Sequence, residues 1–147
     1  MAISSRFSVA VHVLCLLDVT HPARLTSERI AGSVNTNPVV IRRMMGMLSK
    51  AGLIRTTAGV AGAELTRDAD RITLLDVYRA VRQEQQEGLF SLHEDTNPAC
   101  RVGRHITSAL EDTLAHAQTA MEAELAKATV KQVAGTILQR EVLEDYA

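Results

Sequence analysis

The stretch LTSERIAGSVNTNPVVIRRMMGMLSKAGLIRTTAGVAG, from Leu25 to Gly62, decides the fold. It reads as two short helices around a tight break, then a strand and a glycine-bearing hairpin. Thr26 is placed to cap a helix carrying Glu28, Ile30 and Ala31. Gly32 through Thr36 make the break. Asn37-Pro38 opens the second helix, with an amide at the cap and proline at the first helical position. Ile41, Met44, Met45 and Leu48 recur at helical spacing on one side. Val39, Arg42, Arg43 and Lys50 lie on another. Gly52 supplies the stop, and Leu53 to Thr57 follow as a strand. The fold class expected is mainly α. It is a winged helix-turn-helix with a small two-stranded wing and a long C-terminal dimerisation helix. Such a fold sets its second helix in a DNA major groove.

Composition agrees with helix packing. The chain has 147 residues, two Phe, two Tyr and no Trp, so its core must be aliphatic and methionine-rich. No apolar run reaches the length of a membrane span. No cationic segment followed by an apolar region and a cleavage site opens the chain, so no signal peptide is read. Two cysteines, Cys15 and Cys100, are too few for a disulfide framework. A cytoplasmic protein is expected. The net charge is −1, yet the charges are unevenly placed. Residues 1–82 carry eleven Lys/Arg against six Asp/Glu, and residues 83–147 carry five against eleven. A basic half beside an acidic half suggests that one face meets phosphates. The same boundary separates the expected DNA-binding domain, 1–82, from a linker, long helix and terminal helix, 83–147.

Around the central stretch, an apolar helix runs from about Ser5 to Val19 and must be largely buried. Ala58 to Gly62 link strands at about 53–57 and 63–66, with Gly59 and Gly62 free to take positive φ at the tip. Thr73 and Asp76 form a capping box before a helix facing inward through Leu74, Val77, Tyr78 and Val81. Residues 83–96 read as a loop anchored by Leu89, Phe90 and Leu92. A long helix then spans about Val102 to Lys127. Ile106, Leu110, Leu114, Ala117, Met121 and Leu125 recur along it at three- and four-residue steps, approximating a coiled-coil seam. Packing within one chain is the plainer reading. Dimerisation is preferred, because so long a helix projects beyond a small domain without a partner. A further capping box, Thr129 to Gln132, opens the last helix.

The order of these segments resembles the Rrf2 family of bacterial winged-helix transcriptional regulators over nearly the whole chain. Ser5-Arg6-Phe7 with Ala10-Val11-His12 matches the family's first helix, and Ser27-Glu28-Arg29-Ile30-Ala31 its second. Arg42-Arg43 and Leu48-Ser49-Lys50-Ala51-Gly52-Leu53-Ile54 match the recognition helix and its exit. Ile72 to Val77 match the helix after the wing. Two features depart from the family. Its wing usually carries Arg-Gly before the tip and Gly-Gly-Tyr or Gly-Gly-Phe after it, whereas Ala58-Gly59-Val60-Ala61-Gly62 has neither the arginine nor the aromatic. Its cluster-binding members carry three cysteines before the dimerisation helix, whereas this chain has Cys100 alone, so no cofactor is expected.

The resemblance implies a homodimer that places two recognition helices in successive major grooves, about 34 Å apart, on a pseudo-palindromic double-stranded operator. The expected DNA-facing set is Thr26, Ser27, Thr36, Asn37, Val39, Arg42, Arg43, Lys50, Arg55 and Gly59. Arg42 and Arg43 lead it, since arginine pairs with guanine O6 and N7 together. Asn37, Thr36 and the helix N-terminus suit a phosphate, and Lys50 and Arg55 supply charge. Read alone, Arg42 and Arg43 are ordinary solvated helix charges.

Cys100 lies at the mouth of the long helix, where the helix N-terminus, Arg101 and Arg104 favour a thiolate. A single cysteine there resembles the family's thiol sensors, so redox sensing is expected at Cys100. A packed structural thiol is the plain alternative. Cys15 reads first as core, yet it shares a helical strip with Ser8 and His12. In family dimers this strip approaches the partner's Cys100 segment, which leaves open an intersubunit disulfide or an unusual metal site using His12 and Cys100. His93 and His105 flank Cys100 at no specific spacing. No phosphate loop, nucleophile elbow or zinc motif points to an enzyme. Two competing readings stand: a repressor sensing a small ligand, metal or atypical cluster, and a winged-helix protein-interaction module without DNA binding.

Overall fold

Helix α1, Ile3–Val19, is the axle of the fold. Ala10, Val13, Leu14 and Leu17 are buried along it, and Phe7, Val9, Val11 and Leu16 pack around them. The computed structural model describes residues 2–82 and 90–145. Residues 83–89 of the expected loop, with Leu89, lie outside that range. Of its other two anchors, Leu92 is half-buried and Phe90 is exposed. Helix α1 begins two residues earlier than expected.

Helices α2, Ser27–Val34, and α3, Pro38–Lys50, form the helix-turn-helix. The caps are those the sequence offers. Thr26 Oγ1 accepts from the Arg29 amide, and Asn37 Oδ1 accepts from the Val39 amide at 2.8 Å. Between the helices Asn35 takes φ 59°, a left-handed conformation that asparagine tolerates better than most residues. Ile30 and Ala31 of α2 and Ile41, Met44 and Leu48 of α3 enter the core.

The wing is one antiparallel pair, β1 Ile54–Thr57 and β2 Val60–Leu65. The second strand begins three residues before its expected start. The tip is therefore Ala58-Gly59 alone, with Gly59 at φ 76°, and the register shifts between Thr56 and Thr57. Gly62 lies inside the strand, not at the tip. Its φ is 86°, and a Cβ there would stand 2.9 Å from the Leu25 amide nitrogen. The lack of a side chain lets Leu25 and Ala63 exchange backbone hydrogen bonds, so the chain entering α2 adds a third edge to the wing. Arg24 reinforces this join by donating to Gly62 O and pairing with Glu64 at 2.9 Å.

After a short 3-10 turn at Ala69–Arg71, Thr73 and Asp76 close the expected capping box on α4, Leu74–Val81. Helix α5, Arg101–Leu125, follows. Its 25 residues rise about 37 Å, and none of them is buried. Leu110 is 37% exposed, and Ile106, Leu114, Met121 and Leu125 are half-buried. Gln118 Nε2 donates to the Tyr78 hydroxyl, one of the ties between α5 and α4. Helix α6, Val130–Asp145, opens on the expected Thr129–Gln132 box and returns its first turns to α1. Val130 and Ala134 sit in the same core as α1, so residues after 83 help to complete the N-terminal fold. Two backbone bonds, Leu74 N to Ala128 O and Val130 N to Ile72 O, stitch the α5–α6 corner to the start of α4.

Candidate nucleic-acid interface

Burial of Ile41, Met44 and Leu48 on one side of α3 turns the opposite side outward. Val39 is 56% exposed there, and Arg42, Arg43 and Lys50 are exposed with it. Among the described residues the Arg43 side chain makes no hydrogen bond or ion pair, so its whole donor fork is available. Arg42 is different. Its Nη2 donates to Glu28 Oε1 at 3.1 Å across the helix-turn-helix. Ser27 Oγ donates to the same oxygen at 3.1 Å. Its own backbone amide first, and then the Arg42 and Ser27 hydrogen bonds, keep the Glu28 carboxyl below the ordinary range.

The other expected residues are placed as follows. Thr26 and Asn37 spend their acceptors on capping, and Thr36 is half-buried in the turn. Arg55 stands opposite Glu64 on the strand pair and donates to it through Nε at 2.8 Å, so its charge is partly matched. The Arg55 hydrogen bond is also the main cause that holds the Glu64 carboxyl below its usual range. Gly59 marks the exposed wing tip. A groove of about 470 Å³ separates the wing from the helices, lined among others by Thr26, Ser27, Met45, Ser49 and Thr56. Sequence reading missed Glu28 and Glu64. Neither was given a role, because Arg42 and Arg55, which pair with them, lie 14 and 9 residues away and meet them only in the fold.

An exposed basic recognition helix beside a short wing is a DNA-reading arrangement, and the comparisons agree. The model of the Rrf2 family, described as iron-dependent transcriptional regulators, matches residues 3–136. The chain belongs to the Rrf2 family. It is a transcriptional regulator of the winged-helix kind. A Bacillus subtilis (strain 168) protein named as an HTH-type transcriptional regulator, YwnA, is 50% identical over 131 residues, covering 89% of this chain and 96% of the relative. A crystal structure described as a DNA binding protein is 44% identical, covers 87% of this chain and 97% of its own, and superposes with TM-score 0.71. CymR of B. subtilis, described as its global cysteine regulator, is 20% identical, with 92% and 97% covered and TM-score 0.64. At that identity the likeness is one of fold.

Iron is part of the Rrf2 description, so the donor set matters. Among the described residues no three His, Cys, Asp or Glu side chains come together as a metal site. The two cysteines lie in unlike places. Cys15 is buried and directs its thiol at Val130 O, 3.9 Å away. Burial pushes its pKa up to about 11, which keeps it a packing thiol. His12 faces its own chain, 2.9 Å from Ser33 Oγ. These residues do not fit an iron or cluster site within one chain.

Cys100 is the exposed N-cap of α5. Its pKa is lowered by the Gly103 amide first and the Val102 amide second. These amides are the helix N-terminus that the sequence pointed to, and the two arginines expected beside it are not among the causes. The Arg104 Nε instead donates to Pro98 O at 2.9 Å and ties the loop to the helix. Of the two thiols, Cys100 is the one suited to react. Alkylation by iodoacetamide should therefore modify Cys100 first, with a rate that climbs at lower pH than for an ordinary thiol. Cys15 should react only on unfolding. Mass mapping of the alkylated chain checks both.

Proposed function

We propose that this regulator is a homodimeric repressor that grips a pseudo-palindromic operator with two α3 helices and is released by oxidation of Cys100. The exposed face of α3 carries the reading: Val39, Arg42, Arg43 and Lys50 project beside an N-terminal turn capped by Asn37. Arg42 and Arg43 take guanine edges or phosphates, and Lys50 and Arg55 add charge along the backbone. The unburied seam of α5 supports a second copy as its cover. In the oxidation step the Cys100 thiolate attacks a hydroperoxide. An S–O bond forms, the O–O bond breaks, and the leaving alkoxide takes a proton. The sulfenate, or the disulfide it forms when a second thiolate attacks its sulfur and hydroxide leaves, shifts the long helices and changes the spacing of the recognition helices.

The test is titration of DNA from the gene's own upstream region, at fixed salt, with reductant and then with hydroperoxide. Tight reduced binding that weakens on oxidation, and stays tight in Cys100→Ser, supports the whole reading. Binding indifferent to oxidant removes the switch. In the same assay Arg43→Ala should weaken operator binding about tenfold or more, the loss expected for one good base contact. A uniform loss across sequences, with the salt slope reduced by about 1, would make it a phosphate contact.

A second reading keeps the repressor and replaces the thiol signal by a small apolar ligand. A cavity of about 470 Å³ lined by Val11, His12, Leu16, Val19, Val133 and Ile137 favours it. This cavity opens between α1, α2 and α6, not beside the long helix. Unchanged redox behaviour together with ligand-dependent release would select this reading.

A further inference from the structure

A carboxylate on a DNA-facing surface is unfavourable, because it repels the phosphates that the rest of the face attracts. Glu28 is such a group, in the first turn of α2 at the edge of the groove between the helices and the wing. It is not a loose charge. Oε1 receives both Ser27 Oγ and Arg42 Nη2, each at 3.1 Å. Both side chains of the ion pair are more than half exposed, so the contact does little for stability. Its effect falls on Arg42. A guanidinium is a rigid planar fork with five N–H donors. Held through Nη2, the fork is biased towards one orientation and keeps Nε and Nη1 for another acceptor. The positive charge of Arg42 is at the same time cancelled by a neighbour on another helix. Arg43, one residue along, has no such partner among the described residues.

We infer that Glu28 is a specificity-determining positioning residue, which orients the Arg42 fork for a base edge and suppresses its use as a general phosphate contact. The inference rests on the reading that α3 enters a DNA groove. Off the operator, the Glu28–Arg42 pair contributes no net charge, and sequence-independent binding stays weak. On the operator, an acceptor pair such as guanine O6 and N7 meets a fork already held in place. The two arginines then divide the work: Arg42 is templated and discriminating, and Arg43 is free and additive.

The experiment measures binding of the full-length wild type and Glu28→Gln to two duplexes over a range of salt. One is the site selected by the wild type from a random library, and the other is a scrambled duplex of the same composition. Glu28→Gln keeps shape and removes charge. Its expected effect is a rise of about three- to tenfold on the scrambled duplex, with a salt slope steeper by about one phosphate. Affinity for the selected site should change by less, so the ratio between the two falls. The change should vanish in an Arg42→Ala background and persist in Arg43→Ala, a dependence that a general charge effect lacks. Equal shifts on both duplexes, or an undiminished shift without Arg42, would overturn the inference and leave DNA reading intact. Failure of the wild type to select any site would overturn both. Thermal melting should be nearly the same in wild type and Glu28→Gln, which separates the effect from unfolding.

Discussion

Replacing Leu110 by aspartate is expected to split the proposed homodimer and lower operator affinity by about two orders of magnitude or more, while each chain stays folded. The reasoning begins with exposure. Leu110 is already 37% exposed on a helix with no buried residue, so a charge there costs the single chain little. In a dimer the same position lies in the seam with Ile106, Leu114 and Met121, and two aspartates brought together would lose solvent and repel. Loss of the partner turns a two-site grip into single half-site contacts. Linking two binding modules raises affinity by about a hundred- to ten-thousandfold, and that factor is what disappears. Sedimentation should show a monomer, circular dichroism an unchanged helix content, and titration the loss of operator binding. Ser108→Asp, on another side of α5, should leave the dimer and its binding intact. A Leu110→Asp protein that remains dimeric would move the interface off this seam.

Gly62→Ala should be the most damaging single-methyl change in the wing, lowering stability by about 3 kcal/mol. Two costs combine. A non-glycine residue held at φ 86° costs about 1–2 kcal/mol. The new Cβ also meets Leu25 N at 2.9 Å and Arg24 at 3.0 Å, in or next to backbone that cannot rotate away. Overpacking of this kind costs about 1–3 kcal/mol. In a domain of this size the sum lowers Tm by roughly 10 °C. Gly59→Ala is the matched control. Its φ is 76°, but no atom lies within 4 Å of the added carbon, so only the conformational part remains. Melting curves of the two variants separate close approach from backbone strain. Equal losses would mean that the Leu25 backbone does not depend on the missing side chain.

These two glycines also mark what the sequence could tell. A hairpin with glycines was legible, and so were the caps at Thr26, Asn37, Thr73 and Thr129, because a cap is a contact between residues two or three apart. The division of α3 into a buried and an exposed side followed from helical spacing alone. The special place of Gly62 was not legible, since it depends on Leu25, a residue 37 positions earlier that reaches the strand only after folding. The same holds for the interface. Arg42 and Arg43 look alike in the sequence, and only the turn that brings Glu28 across makes them different. At Cys100 the helix N-terminus was legible as a cause of the thiol's acidity, and the first-turn amides of Gly103 and Val102 are that cause. The contribution also expected from Arg101 and Arg104 was not borne out in the same way, since Arg104 turns to Pro98 O instead.

The stitched corner between α5 and α6 has a mechanical consequence. With Ala128 and Val130 pinned to the start of α4 and Cys100 at the opposite end, α5 is an arm with its fulcrum beside the DNA-reading domain. Over an arm of about 37 Å, a displacement of about 3 Å at the thiol end rotates the fulcrum by only about 5°. Travel is lost along such an arm and leverage is gained. Under the proposed switch, a weak push at the exposed tip would become a small, forceful turn at that fulcrum, and a small turn is all that two recognition helices held to one groove spacing would tolerate.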